Sequence, residues 1–470
     1  MKKWKQLYCI IFFLICLCPS LGMLLTGQEA SSENRELAKF PELKTEEGIN
    51  REWLSQAGDY FQEHFAFRSE LVTANALLNG KILGVSTADG VIQGRNGWLY
   101  YKDSLSDYLG TELMSQRSLY NTAHILAMTQ SYLESKGVRF LFTAAPNKNS
   151  LYGENMPYYY NVKVSSTGNL EQLKPFLEKE QVTYADLYRA FSGKEEVLYH
   201  QRDSHWNNKG AAYAAEQLMT ALDKEHDSYE EETYTVRRDF QGDLDNMLYP
   251  LALTLEDEIY YDKTPTFAYV GEVESNFDPR ITTVNPVKSG SLVMYRDSFG
   301  NSLLPFLADA YANAYFSRGV PYQLNDVDTA AADTVIIERA ERFLPEIPQS
   351  PPVMAAEAVQ WNGETGEELL DSVRNVQMKR QGLLTQITGS IGQGCLETDS
   401  RIYLRLNGTE LYEAFPMDIE TENGIDDSGF CLYLESQGLA SEGNTLEIMF
   451  TRGEKLIKIY ETVLKEETNK

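Results

Sequence analysis

Leu292-Val293-Met294-Tyr295-Arg296-Asp297-Ser298-Phe299-Gly300 reads as a short apolar strand that turns through polar residues into a helix running from Leu303 to Tyr311. In an open α/β sheet such a turn lies at the carboxyl end of the strands, where ligands bind. It exposes the Ser298 hydroxyl there. It also brings the N–H groups of the helix start close to any negative charge that develops beside it. The same alternation extends in both directions. Leu119, Ala123, Leu126 and Leu133 mark a helix stopping at Gly137, and Val138 to Ala145 is a buried strand. Leu173, Phe176 and Leu177 mark a helix, Val182 to Leu187 a strand, and Ala211 to Leu222 a helix. Ala314-Tyr315-Phe316 and Thr334-Val335-Ile336-Ile337 add two more strands. Strands alternating with helices predict a mostly parallel sheet covered on both faces.

A second motif, Asp203-Ser204-His205-Trp206, supplies what Ser298 lacks. Acyl transfer by serine needs a nucleophile, a base within hydrogen-bond reach, and a group that fixes the base's tautomer. Ser298 is the candidate nucleophile, His205 the base and Asp203 its orienter. With only five histidines in the chain, few His–carboxylate pairs arise by accident. Asp203 and His205 share a face if the segment is extended; a tight loop serves equally. Taken singly, Asp297-Ser298 and Asp203-Ser204 are also good helix N-caps. Asp297 is a second candidate orienter, but adjacent residues on one turn rarely aim at the same imidazole. His64 reads as a packing or surface residue, and His124, His200 and His226 have no catalytic context; His200 is close enough to line the site but is not among the candidate site residues.

Asn147 and Lys148 follow the strand ending at Ala145 and reach the same sheet edge. Asn147 is a candidate oxyanion donor. Lys148 is a candidate for an anionic sugar or for an ion pair. Arg296, Phe299, Trp206 and Arg342 are candidates for lining the substrate-binding surface. Glu338 and Arg342 follow the last strand, where an i,i+4 ion pair at a helix start is the preferred reading.

The formal charge is -27, from 42 Lys+Arg against 69 Asp+Glu. That argues against nucleic acid, which needs basic patches, and fits a self-repelling surface outside the cell. Lys2, Lys3 and Lys5 precede the apolar run from Leu7 to Leu25. This is long enough for a membrane helix of roughly 20 residues. It reads as a signal anchor with the bulk of the chain extracytoplasmic, while Leu25-Thr26-Gly27 leaves cleavage and secretion open. Cys9, Cys16 and Cys18 lie in that run and follow no lipobox. Cys395 and Cys431 remain, and in an exported protein they can form one disulfide. No Cys-x-x-Cys pair or His/Cys cluster is present, so no metal and no cofactor is expected.

Four segments follow. Residues 1–27 are the anchor, and 28–90 a polar stretch with one amphipathic helix from Ile49 to Leu78. Residues 91–350 are the catalytic α/β domain, including the turn Gly94-Arg95-Asn96-Gly97 and the strand Trp98 to Tyr101. The proline cluster Pro345 to Pro352 reads as a linker. Residues 351–470 are a small antiparallel β-sandwich with a hairpin at Asn407-Gly408 and a frayed tail from Lys465. Trp361, Tyr403 and Tyr412 can stack on sugars, although aromatics at strand positions are more often core.

Asn34-Arg35 with Phe40-Pro41-Glu42, Gly97-Trp98-Leu99-Tyr100, Pro146-x-Lys148-x-x-Leu151-Tyr152, Asp203-x-His205-Trp206 and Asp297-Ser298-Phe299 together resemble a known family. They are similar to the SGNH-hydrolase-like acetyltransferases of alginate biosynthesis (AlgX/AlgJ type), including the bacterial "DHHW" proteins. The resemblance runs from Asn34 to Arg342. It implies an SGNH-hydrolase-like α/β/α domain with the Asp-x-His pair preceding the serine, as here. It implies transfer of acetyl groups onto hydroxyls of an extracytoplasmic polysaccharide, with the acetyl group delivered by a membrane-bound O-acyltransferase partner. Two residues depart from the family pattern: Ser204 stands where "DHHW" has His, and Arg296 where a small residue precedes Asp-Ser. An esterase or deacetylase using the same triad, and a non-catalytic glycan-binding or assembly protein, are the competing readings.

Overall fold

The apolar runs pair into one seven-stranded sheet. Its strands are β1 (Arg139–Ala145), β2 (Tyr184–Ala185), β3 (Ala268–Tyr269), β4 (Arg280–Val284), β5 (Ser291–Tyr295), β6 (Asn313–Ser317) and β7 (Thr334–Ala340). Their order is β2-β1-β7-β5-β6-β4-β3. The five from β2 to β6 are parallel, and β4 and β3 complete the edge antiparallel. The computed structural model describes residues 2–26, 38–45, 48–83, 86–440 and 443–465. The Asn34-Arg35 part of the resemblance, Gly27 of the cleavage reading and the tail beyond Lys465 lie outside the described residues.

Alternate residues of the buried strands feed two cores, as the period of two requires. Leu141, Leu292, Met294, Ile336 and Phe316 face one side with helices Asn208–Ala221 and Gly300–Ala308. Phe140, Phe142, Val293, Tyr295, Val335 and Ile337 face the other with helices Gln116–Ser135 and Asn169–Lys179. Both faces of the sheet are thus covered, and the chain has the expected mixed α/β fold.

The C-terminal part is a curled, mostly antiparallel nine-stranded sheet, as a β-sandwich-like domain requires. Its strands include β8 (Glu364–Glu367), β9 (Arg374–Gln381), β10 (Leu384–Ser390), β11 (Ile402–Leu406), β12 (Glu410–Thr421), β13 (Gly424–Glu435), β14 (Asn444–Arg452) and β15 (Lys455–Leu464). The expected hairpin joins β11 to β12, with Asn407 and Gly408 both at positive φ, the type I′ geometry. Phe415, Cys431 and Tyr433 of this sheet share the core beneath helix Gln116–Ser135.

Several expectations need correction. The helix read from Ile49 to Leu78 is two, Trp53–His64 and Arg68–Leu83, because Phe67 takes φ 64° between them. The strand read over Val182–Leu187 is only two residues long, since Asp186 caps the helix Leu187–Ser192 by accepting the Arg189 N–H. The proline cluster is packed: Pro348, Pro351 and Pro352 are buried, and the Pro348 carbonyl accepts the Asp418 N–H at 2.9 Å. Cys395 and Cys431 are free thiols in different core clusters, so the disulfide does not form. Tyr403 is core, with Trp361 packed edge-on against it, and Tyr412 bonds Glu410. At the other end, Lys2–Thr26 is one helix, and its Trp4–Met23 stretch (mean hydropathy 2.0) is long and apolar enough to cross a membrane.

Candidate active site

β5 ends at Tyr295, and Ser298 sits in the turn before helix Gly300–Ala308. That turn is pinned to β7. The Asp297 carboxylate accepts the Phe299 N–H at 2.9 Å and the Ala340 N–H at 2.6 Å, and its own N–H donates to Glu338. The Arg296 side chain folds under the helix start to donate to Asn301 and to the Asn276 and Asp278 carbonyls. Gly300 makes this possible, because a Cβ there would stand 2.6 Å from the Arg296 side chain.

The Asp203–His205 segment is a tight loop, with Asp203 Oδ1 accepting the His205 N–H at 2.8 Å. The loop carries His205 across 93 residues of sequence to Ser298. His205 Nε2 is 2.9 Å from Ser298 Oγ, and His205 Nδ1 is 2.8 Å from Asp203 Oδ1. Phe299 packs edge-to-face on the imidazole with ring centroids 4.8 Å apart. Asp203 is buried, while His205 is 21 % exposed, enough to meet a ligand from one side.

Electrostatics follow from this packing. Burial disfavours the Asp203 carboxylate, but the His205 charge and the hydrogen bonds outweigh it and hold Asp203 well below the usual range. Burial pulls His205 down, and the Asp203 and Asp243 carboxylates more than reverse this, so its pKa is raised.

Asp243 has no counterpart in the sequence reading. Its N–H donates to Asp203 Oδ2 at 2.7 Å, its Oδ1 accepts the Ser204 N–H at 2.8 Å, and its Oδ2 accepts the Ser204 hydroxyl at 2.5 Å. Burial first and the Asp203 charge second push its carboxyl up. Gly242 allows the approach: a Cβ there would lie 2.3 Å from the Arg202 carbonyl. Only the Gly-Asp pair hints at such a turn. Asp203, His205 and Asp243 offer three ligand atoms within 4.8 Å, the spacing a cation would need, although these atoms already hydrogen-bond one another and Ser204.

The other expected site residues divide. Lys148 is 4 % exposed, and its ammonium donates to the carbonyls of His200, Gln201 and Asp203, so it braces the His205 loop rather than facing a ligand. Asn147 is 1 % exposed, donates its N–H to Glu341 and has its side chain beside Asp107. Trp206, Phe299 and Arg296 are buried in the interior and line no surface. Glu338 is a buried β7 residue paired with Asp297, so the expected Glu338–Arg342 ion pair is not made. The Arg342 guanidinium instead lies over the rings of Phe299 (5.5 Å), Tyr101 (5.3 Å) and Phe343 (4.6 Å). His200 points away, bonded to Glu258 and stacked on Phe240.

Residues 91–269 match the family described as "ALGX: SGNH hydrolase-like domain, acetyltransferase AlgX". The match takes in Asp203, His205 and Asp243 and ends before Ser298. A curated relative, "Probable alginate O-acetylase AlgJ" of Pseudomonas syringae pv. tomato, is 24 % identical over 183 residues. That alignment covers 37 % of this chain, and the chain spans 44 % of the relative's length. Among solved structures, a DHHW family protein from Eubacterium siraeum is 15 % identical, with TM-score 0.42 over 55 % of this chain and 94 % of that one. The O-acetyltransferase domain of Pseudomonas putida AlgJ is 18 % identical, with TM-score 0.38 over 55 % and 93 %. The AlgX/AlgJ-like resemblance read from the motifs is borne out by the match over residues 91–269.

Proposed function

From the match of residues 91–269 to the AlgX-type SGNH hydrolase-like domain, we propose that this chain is an extracytoplasmic O-acetyltransferase acting on hydroxyls of a cell-surface or exported polysaccharide. The observation that carries the proposal is the continuous chain Asp203 Oδ1–His205 Nδ1 (2.8 Å) and His205 Nε2–Ser298 Oγ (2.9 Å). It has the reach and order that acyl transfer requires.

His205 Nε2 takes the Ser298 proton as Oγ attacks the acetyl carbonyl of the donor. The tetrahedral intermediate collapses, the donor's C–O bond breaks, and His205 returns the proton to the leaving oxygen. A glycan hydroxyl then attacks the acetyl-serine, gives its proton to His205, and leaves as the acetate ester while Oγ is reprotonated. Asp203 holds the Nδ1–H tautomer and stabilises the imidazolium in both halves. The Ser298 N–H, which has no acceptor among the described residues, is a backbone donor available to the oxyanion. Arg342, whose guanidinium lies over the Phe299, Tyr101 and Phe343 rings, supplies a cation beside Phe299 for the acceptor or donor.

The lysine-flanked apolar helix anchors the chain in the membrane with the site outside, next to a membrane-bound O-acyltransferase that delivers the acetyl group. The test is a chromogenic acetyl ester offered with and without oligosaccharide acceptors. Acetylated oligosaccharide that disappears in Ser298→Ala supports the transferase. Ester cleavage with no acetylated sugar across a broad acceptor panel would favour an esterase. Glycan binding without turnover of any ester would favour an assembly protein.

A further inference from the structure

One consecutive residue of each pair that supports the triad turns the other way. Asn147 precedes Lys148, and Glu341 precedes Arg342. Lys148 reaches the Asp203 loop and Arg342 lies over Phe299, while Asn147 and Glu341 meet each other and face Asp107. On that side a cavity of about 310 Å³ opens to solvent, lined by Asp107, Tyr108, Lys163, Thr167, Tyr188 and Glu341. It is at the lower end of the size of small-molecule sites, roughly 300–1,000 Å³.

Its floor is built and unsatisfied. Asp107 is 6 % exposed; its Oδ1 accepts the Asn169 N–H at 3.0 Å, but Oδ2 faces Glu341 without a hydrogen bond of normal geometry. Glu341 is 5 % exposed and accepts the Asn147 N–H at 2.7 Å. Burial first and the facing Asp107 charge second raise Glu341. Two buried carboxyls with a free acceptor oxygen are costly unless donors reach them. Gly168 keeps the space open, since a Cβ there would touch the Asp107 carboxyl at 3.3 Å. Tyr108 and Tyr188 supply aromatic walls, and the Lys163 ammonium sits 3.6 Å from the Tyr108 centroid at the rim.

We propose that this cavity is an acceptor subsite that takes one uncharged, hydroxyl-rich pyranose unit of the glycan. Its hydroxyls donate to Asp107 Oδ2 and Glu341, and its C–H face lies against the tyrosine rings. The inference rests on the acetyltransferase reading, and the geometry sets the substrate class: acceptor oxygens form the floor, so a sugar carboxylate placed there would meet like charge. The acceptor chain then runs along the carboxyl edge of the sheet, from β1 and β7 towards β5.

The test is binding of cellotetraose, mannotetraose, chitotetraose and tetragalacturonate to the full-length protein in detergent, read by calorimetry and by hydrogen exchange of residues 161–171. The expected result is that a neutral tetramer binds and protects this segment. Thr167→Trp, an exposed change that fills the mouth, and Asp107→Asn should each weaken it about tenfold or more. Tighter binding of tetragalacturonate, unchanged binding in Thr167→Trp, or no neutral tetramer bound at about 10 mM would overturn the subsite. Acetyl-Ser298 formation after addition of an activated acetyl ester, followed by mass in the same wild-type samples, separates the two readings. Acylation without sugar binding ends the subsite alone; sugar binding without acylation ends the transferase alone and leaves a neutral-glycan site.

Discussion

Asp243 Oδ2 lies 3.6 Å from His205 Nδ1, so the imidazole faces two carboxylates rather than one. Asp203 makes the direct hydrogen bond, and Asp243 holds Asp203 through its backbone N–H and Ser204 through both carboxylate oxygens. Ser204, the position at which the chain departs from the "DHHW" word, stands between Asp243 and the histidine, its hydroxyl donating to Asp243 Oδ2 and lying 3.1 Å from His205 Nδ1.

The first prediction concerns pH. His205 acts as a base only when neutral, and its pKa is raised above 6.5 because Asp203 and then Asp243 outweigh burial. kcat/KM should rise with pH through that raised value. Asp243→Asn removes one of the charges that lift it, so the acid limb should move to lower pH. A pH–rate profile checks this, and an unmoved limb would mean that Asp243 does not act on the imidazole.

Asp203→Asn should leave the loop able to fold but favour the wrong tautomer of His205. The expected loss is on the order of 10³–10⁴ in kcat, with KM little changed. Steady-state kinetics on a variant whose melting curve matches the parent provides the measurement; a loss below tenfold would remove Asp203 from its assigned role.

The contrast between what the sequence disclosed and what it hid has a physical cause. Ser298, His205 and Asp203 were legible because each sits in a short word with its own local logic: a strand entering a helix, and a carboxylate two residues from a histidine. The parallel core was legible because β1, β5 and β7 are near-continuous apolar runs. Asp243 was not, since it opens a helix of only 6 residues, Asp243–Leu248, 40 residues from Asp203, too short to show an apolar period. The hairpin that precedes and follows it, Tyr234–Phe240 with Glu256–Tyr261, is too exposed to show one. Lys148 and Trp206 were placed in the right neighbourhood but face inward, and one-dimensional spacing does not say which side of a loop a side chain takes.

His124, on helix Gln116–Ser135, ties the α/β part to the C-terminal sheet. Its Nδ1 is 2.7 Å from Glu180 and its Nε2 2.9 Å from Glu413 of β12. Burial lowers His124, but these two carboxylates outweigh it and raise its pKa above 6.5. Burial raises Glu180, and His124 more than reverses this, holding it below 4.5. The histidine's contribution is complete below 6.5 and is lost as pH rises through its raised folded value. Glu180's contribution is complete above 4.5 and is lost as pH falls through its depressed value. The bridge is therefore strongest between these limits. His124→Gln should cost roughly 2–3 kcal/mol near pH 6 and much less near pH 9, read from urea melts at both values. A gap that is constant with pH would contradict the bridge.

Lys148→Met should strip a buried ammonium from three carbonyls of the His205 loop. A destabilisation of roughly 2–4 kcal/mol is expected, together with a fall in kcat even where the protein is fully folded. Denaturant midpoints and kcat at low temperature test the two halves separately. Full activity in a folded variant would show that the brace is dispensable.

Ser298 is assigned to carry the acyl group. The most direct measurement is the intact mass of the protein quenched soon after mixing with an activated acetyl ester, followed by peptide mapping. One added acetyl group is expected on Ser298, absent in Ser298→Ala and His205→Ala, and discharged onto an oligosaccharide acceptor. An acetyl group elsewhere, or acetylated sugar formed at the parent rate by Ser298→Ala, would contradict it.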